Sequence, residues 1–224
     1  MSLRRRDFLA GSAGLLAALS VARPALASTD QETLVSRAAI TIDGLRSDPS
    51  YGLMDRYLSA SQAVLIVPEL LRAGFIFGGE GGSGVLLRRH PELGWSYPAF
   101  YLLIGGSVGF QIGGQISEIV VSIMSQRGLM AILDRRVTLG VDLSGALGPV
   151  GAGAGARTGL DFDADSYVFS RNQGLYAGGK LDGTVIQPRY SWNESYYGAG
   201  ATPGAILDGR FTNSQADTLR SVLP

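Results

Sequence analysis

From Ala63 to about Gln115 the chain is apolar, rich in glycine and repeatedly alternating, in the pieces AVLIVP, AGFIFGG, GVLLRRH and YLLIGGSVGFQIGG. A period of two sends successive side chains to opposite faces, so these pieces predict strands joined by short turns. Strand patterns return in RRVTLGVDLSGAL, where Leu139, Val141 and Leu143 share a face. They continue in SYVFSRNQGLYAGGKLDGTVIQ, which reads as a hairpin turning at Asn172-Gln173-Gly174.

Helical spacing appears between and around these strands. Leu34, Val35, Ala38, Ala39, Ile42 and Leu45 predict a helix over 31–48, with Ser28, Thr29 and Asp30 available as caps. A short second helix is expected over 53–60. SEIVVSIMSQRGLMAILD reads as a helical stretch divided at Gly128, and NSQADTLRSVL as a final helix capped by Asn213 or Ser214. The expected fold is a single α+β domain. Its antiparallel sheet is strongly curved or a partly closed barrel, packed with a central helix and N- and C-terminal helices.

Residues 1–27 stand apart. Arg4, Arg5 and Arg6 precede Phe8-Leu9, an apolar run from Leu9 to Val21 follows, and Ala25-Leu26-Ala27 has the form of a signal-peptidase site. The paired arginines, with Arg23 near the cleavage point, fit the twin-arginine route. The run is shorter than the ~20 residues a membrane-spanning helix needs, so a cleaved export signal is expected, with residues 28–224 as the domain. Export would place the protein in the periplasm or cell envelope.

Removing that segment leaves 15 basic and 18 acidic residues out of totals of 19 and 19, so global charge gives no reason to expect nucleic acid. Any anionic ligand must meet a local patch. The chain has no cysteine, which excludes disulfides, thiol catalysis and Cys-type metal sites; His90 is its one histidine.

Four motifs carry candidate chemistry. Gly105-x-Ser107-x-Gly109 has the spacing of a nucleophile elbow, but that elbow needs a helix after the serine, and here a strand pattern continues. Gly79-x-Gly81-x-x-Gly84 resembles a dinucleotide fingerprint, yet Pro91 ends the next segment too early for the required helix, so a glycine-rich hairpin turn is expected. Asp161, Asp163 and Asp165 alternate like a calcium loop. Ser166 and Asn172 stand where that loop needs glycine and glutamate, which leaves a solvated turn as the default and a calcium site as the alternative. Arg88 and Arg89 beside His90, joined by Arg135 and Arg136 if the fold gathers them, form a candidate phosphate cluster. Gly109, Gly113 and Gly178 would let a ligand or another backbone approach a strand closely. The stretch 148–159, GPVGAGAGARTG, is expected to be a flexible loop.

The blocks AVLIVPELLRAGFIFGGEGGSGVLLRR, GWSYPAFYLLIGGSVGFQIGGQISEIVVSIMSQRGLMAIL, VTLGVDLSGALGPVG and DADSYVFSRNQGLYAGGKLDGTVI resemble, in order, the SYLF-domain family. The resemblance runs from about Leu58 to Tyr197. It implies binding of phospholipid headgroups at a membrane surface, with no catalysis and no metal or organic cofactor. Eukaryotic members use an amphipathic N-terminal helix and basic residues, and some bind actin. Here the helix over 31–48 carries only Arg37 and Arg46 against Glu32, Asp43 and Asp48, and actin is not an expected partner for an exported protein. The reading is a non-enzymatic envelope protein that binds anionic phospholipid through Arg88, Arg89, Arg135 and Arg136. The alternatives are a protein-interaction module of the envelope and a serine hydrolase using Ser107.

Overall fold

The computed structural model describes residues 29–74, 77–108, 113–134, 136–139, 141–143, 145–147, 164–173 and 183–224. The expected export signal, Gly109, Arg135, Asp161, Asp163, Gly178 and residues 148–159 therefore lie outside the described residues.

Helix α1 (Asp30–Arg46) starts where the sequence predicts. The Thr29 side chain accepts the Glu32 N–H at 3.2 Å while the Glu32 carboxylate accepts the Thr29 N–H at 3.1 Å, a reciprocal capping box. A single 3₁₀ turn leads to α2 (Met54–Ala60). Among the described residues the chain then forms a sheet of nine strands: β1 (Ala63–Gly74), β2 (Phe77–His90), β3 (Gly94–Trp95), β4 (Ala99–Val108), β5 (Gly113–Ile123), β6 (Val137–Thr138), β7 (Gly145–Leu147), β8 (Ser166–Gln173) and β9 (Val185–Pro188). Their order is β6-β9-β4-β2-β1-β5-β8-β7, with β3 on the end of β2; every pairing is antiparallel except β7 with β8. The sheet curls into a half-barrel, the α+β architecture expected.

Both faces of this sheet are covered near its His90 end. One carries α1, α2 and the C-terminal helix α6 (Asp217–Ser221), which bury Val64, Ile66, Val85, Leu87, Phe100 and Val120. The other carries α3 (Gln126–Asp134) and α5 (Pro203–Leu207), which bury Leu65, Val67, Leu86, Tyr101, Leu103, Ile119 and Val121. Each fully buried aliphatic side chain contributes about 1.5–3 kcal/mol of transfer free energy, so the two layers supply what disulfides do not. Helix α4 (Tyr190–Tyr197) borders the first layer.

Several expectations are corrected. The strand boundaries differ: AVLIVP and the start of AGFIFGG form one strand, β1, its end and GVLLRRH fall in β2, and YLLIGGSVGFQIGG is shared between β4 and β5. SEIVVSI is part of strand β5 and only residues 126–134 are helical, with Gly128 inside the first turn of α3 rather than dividing two helices. Ile119, Val121 and Ile123 face one core and Val120 the other, so the buried strand has lost its alternation. Strand β9 is not the second arm of a hairpin with β8, since β8 pairs with β5 and β7 while β9 pairs with β4 and β6; the expected turn at Gly174 lies outside the described residues. Gly79, Gly81 and Gly84 lie within strand β2, not in a turn. Beside them β1 shifts register between Ile66 and Leu71, where Pro68 has no N–H to pair. There a Cβ on Gly82 would run into the Glu69 carbonyl, and one on Gly84 would stand 2.8 Å from the Ile66 carbonyl.

Candidate functional site

The end of β2 carries Arg88, Arg89 and His90, and β3 turns straight back beside them to present Trp95. Helix α6 and the residues after it close over this corner. The result is an open groove of about 880 Å³ between the β2–β3 turn and the C-terminal segment, with Leu93, Trp95 and Leu223 on its apolar side. Arg89, His90 and Arg220 line it together with Asp217 and Pro224.

Each cation is held by several bonds. Arg89 donates to the main-chain oxygens of Ser59 and Pro224, and its guanidinium lies 5.0 Å from the Trp95 ring centre. Trp95 Nε1–H also donates to the Pro224 oxygen, at 2.9 Å. Arg220 donates through Nε to the Trp95 carbonyl at 2.8 Å, reaches Asp217 at 3.3 Å and stacks 4.3 Å from the Tyr97 ring centre. The Tyr97 hydroxyl donates to Asp217 at 2.9 Å; burial, and then that carboxylate, push its pKa above the ordinary value. His90 Nε2 donates to the Leu207 carbonyl at 2.6 Å. Cations flattened on aromatic rings keep their charge while losing little freedom. Such a groove suits an anion attached to an apolar body.

The four arginines expected to form one cluster do not all converge among the described residues. Arg89 lines the groove. Arg88 turns away to an ion pair with Asp208 at 2.7 Å. Arg136 is exposed just before β6, level with Ser83 through the β9 and β4 registers, on the order of 20 Å from Arg88 by strand spacing. Trp95, Tyr97 and Arg220 were not singled out from the sequence; the aromatic pair in GWSYP, close after RRHPEL, was the available signal for the first two.

Other candidates find their places. Ser107 pairs with Gly78 on β2, at the opposite end of that strand from His90. Twelve residues of extended chain separate the two levels by about 40 Å, so these two residues cannot form a Ser-His couple. Gly113 opens β5 opposite Gly74. The Asp165 carboxylate accepts from Ser125 Oγ at 2.6 Å and pairs with Arg127, at the start of α3. No cluster of potential metal ligands occurs among the described residues, and no described helix is long and apolar enough to cross a membrane.

Fold and groove together define an α+β half-barrel module with an aromatic-cationic corner. Residues 104–224 match the family model described as Ysc84, Las17-binding protein actin regulator. The chain belongs to this Ysc84/SYLF family. It is similar to an SH3 domain-containing protein of Schizosaccharomyces pombe, 34% identical over 163 residues, covering 71% of this chain and 38% of that one. It is also similar to Protein YSC84 of Saccharomyces cerevisiae, 32% identical over 149 residues, covering 65% of this chain and 32% of that one. The human SH3 domain-containing YSC84-like protein 1 is 28% identical over 173 residues, covering 76% of this chain and 51% of that one. The chain thus spans a third to a half of the length of these relatives.

Proposed function

We propose that this protein binds anionic phospholipid headgroups at a membrane surface, without catalysis, and that it does so in the cell envelope after export. The observation that carries this reading is the groove, in which the guanidinium groups of Arg89 and Arg220, with His90, stand beside Trp95 and Leu93. Cations meet a phosphodiester there, and the aromatic and leucine side chains meet the glycerol and acyl region. Arg88, paired with Asp208, and Arg136, exposed just before β6, remain proposed headgroup contacts together with Arg135. Gly109, Gly113 and Gly178 remain proposed positions of close backbone approach.

The test uses Trp95 as its own reporter. In residues 28–224 carrying Trp192→Phe, titration with a short-chain phosphatidylglycerol below its micelle concentration should shift Trp95 emission to the blue. The phosphatidylcholine analogue should do so at least tenfold more weakly. Arg220→Gln should remove the preference while the folded circular dichroism spectrum is kept. Equal responses to both lipids, or none, would favour the protein-interaction reading that the names of the relatives suggest.

A further inference from the structure

Two donors in the groove converge on one acceptor, and that acceptor belongs to the chain itself. Arg89 donates through Nη2, and Trp95 through Nε1, to the same main-chain oxygen, that of Pro224. Strand pairing fixes both donors, since Arg89 on β2 stands opposite Trp95 on β3. Arg89 is also tied through Nη1 to the Ser59 carbonyl in α2, so this fork is built by the sheet and α2 and does not depend on Pro224. A guanidinium N–H beside an indole N–H is a fork that an anionic oxygen fills.

Residues 222–224 reach the fork as a strap. Helix α6 ends at Ser221; the Val222 N–H still bonds the Thr218 carbonyl, at 3.3 Å, and residues 223 and 224 continue without regular structure. Three contacts hold them. Arg46 Nη1 donates to the Val222 carbonyl at 2.6 Å, the Leu223 side chain is buried in the layer of α1 and α2, and the Pro224 oxygen takes the fork. Proline has no N–H, so residue 224 bonds through its oxygen alone. Arg220 directs its bonds to the Trp95 carbonyl and to Asp217, and these stay in place when residue 224 leaves.

Resting on the headgroup reading above, we propose that the Arg89–Trp95 fork is the subsite for one phosphodiester oxygen, and that residues 222–224 close it by holding the Pro224 oxygen there until a ligand displaces it. Two ordinary hydrogen bonds favour the closed arrangement by about tenfold or more. A ligand that binds only the open arrangement has its apparent affinity lowered by the same factor.

Residues 28–224, which hold every described element, are compared with two variants: deletion of Pro224, and Arg46→Gln, which leaves every groove residue in place. Each is titrated with short-chain phosphatidylglycerol below its micelle concentration and with deacylated glycerophosphoglycerol. The readout is the Trp95 indole N–H resonance, assigned through Trp192→Phe. The phosphatidylglycerol dissociation constant should fall about tenfold on deletion of Pro224 and about threefold on Arg46→Gln, with the circular dichroism spectrum unchanged. Arg89→Gln in the chain lacking Pro224 should abolish the response. Tightening with both compounds supports a subsite for the phosphodiester itself; tightening with the lipid alone supports one that also needs the acyl chains. If deletion of Pro224 unfolds the chain, Arg46→Gln still decides the question. Binding by the variants no tighter than by the unaltered chain would overturn the strap and leave the headgroup reading standing. No response to either compound in a folded chain lacking Pro224 would overturn both.

Discussion

The side-chain amide of Asn193 reads the main chain of Phe100 as a neighbouring strand would: Oδ1 accepts the Phe100 N–H at 2.8 Å and Nδ2 donates to the Phe100 carbonyl at 3.4 Å. Both residues are fully buried, and the Arg189 N–H shares the same carbonyl at 2.9 Å. Asn193 thereby ties α4 to β4 just before the strand pairs with β9.

Asn193→Ala should cost about 2–3 kcal/mol, because it strands the Phe100 N–H in a dry layer while the carbonyl keeps Arg189. Urea unfolding of residues 28–224 measures it. A loss below about 0.5 kcal/mol would mean that water reaches the site and that the amide is not what joins helix to strand.

Glycine at 84 is required by contact, glycine at 106 is not. Gly84→Ala should destabilise by about 1–3 kcal/mol, since the added methyl meets the Ile66 carbonyl and the Val67 side chain, both at 2.8 Å. Gly106→Ala meets nothing within 4 Å and should be neutral or slightly stabilising. Thermal melts of the two variants side by side test the register shift in β1; equal melting points would contradict it.

Arg72 and Glu80 pair at 2.5 Å on the sheet face opposite α1, both largely buried, with Thr184 donating to the same carboxylate. Arg72→Met alone leaves a buried carboxylate without its cation and should cost roughly 3–5 kcal/mol, whereas Arg72→Met with Glu80→Leu should recover most of that loss. Denaturant curves for the single and double variants decide it. An equal loss in both would show that packing, not charge, is at stake.

Alkaline pH should destabilise the fold. Burial pushes the Tyr196 phenol up to about 12 from 10.0 and holds the Tyr101 and Tyr197 phenols higher still. A raised folded pKa means that above about pH 10 the unfolded chain loses these protons first, so stability falls as pH climbs from 10 towards 12. The Tyr196 hydroxyl has no hydrogen-bond partner among the described residues. Tyr196→Phe should therefore leave stability at pH 7 unchanged or up to about 1 kcal/mol higher, and should flatten the alkaline loss. An unchanged alkaline slope in this variant would contradict the assignment.

The long strands and α1 were legible because their patterns are local: alternation, a stripe of apolar residues and a capping box. SEIVVSI was misread because a strand buried on both faces shows a continuous apolar run, which periodicity cannot distinguish from a buried helix. Helix α4 was missed altogether, since YSWNESYY has aromatic residues of low helix propensity and little apolar stripe; its place is set by Asn193 and by Phe100 packing on Trp192 and Tyr196. At the groove, Arg89 and His90 stood out as neighbours in sequence. Arg220 joins them only because the chain folds back from 125 residues beyond Trp95, and Arg136 stays away because β6 pairs on the far side of β9.

The most direct test of headgroup binding is flotation of residues 28–224 with vesicles of pure phosphatidylcholine and with vesicles containing phosphatidylglycerol, across a salt series. The groove predicts flotation with the anionic vesicles only, weakening as salt rises and weakened further by Arg89→Gln with Arg220→Gln. No flotation with either vesicle, or flotation indifferent to charge and salt, would contradict it.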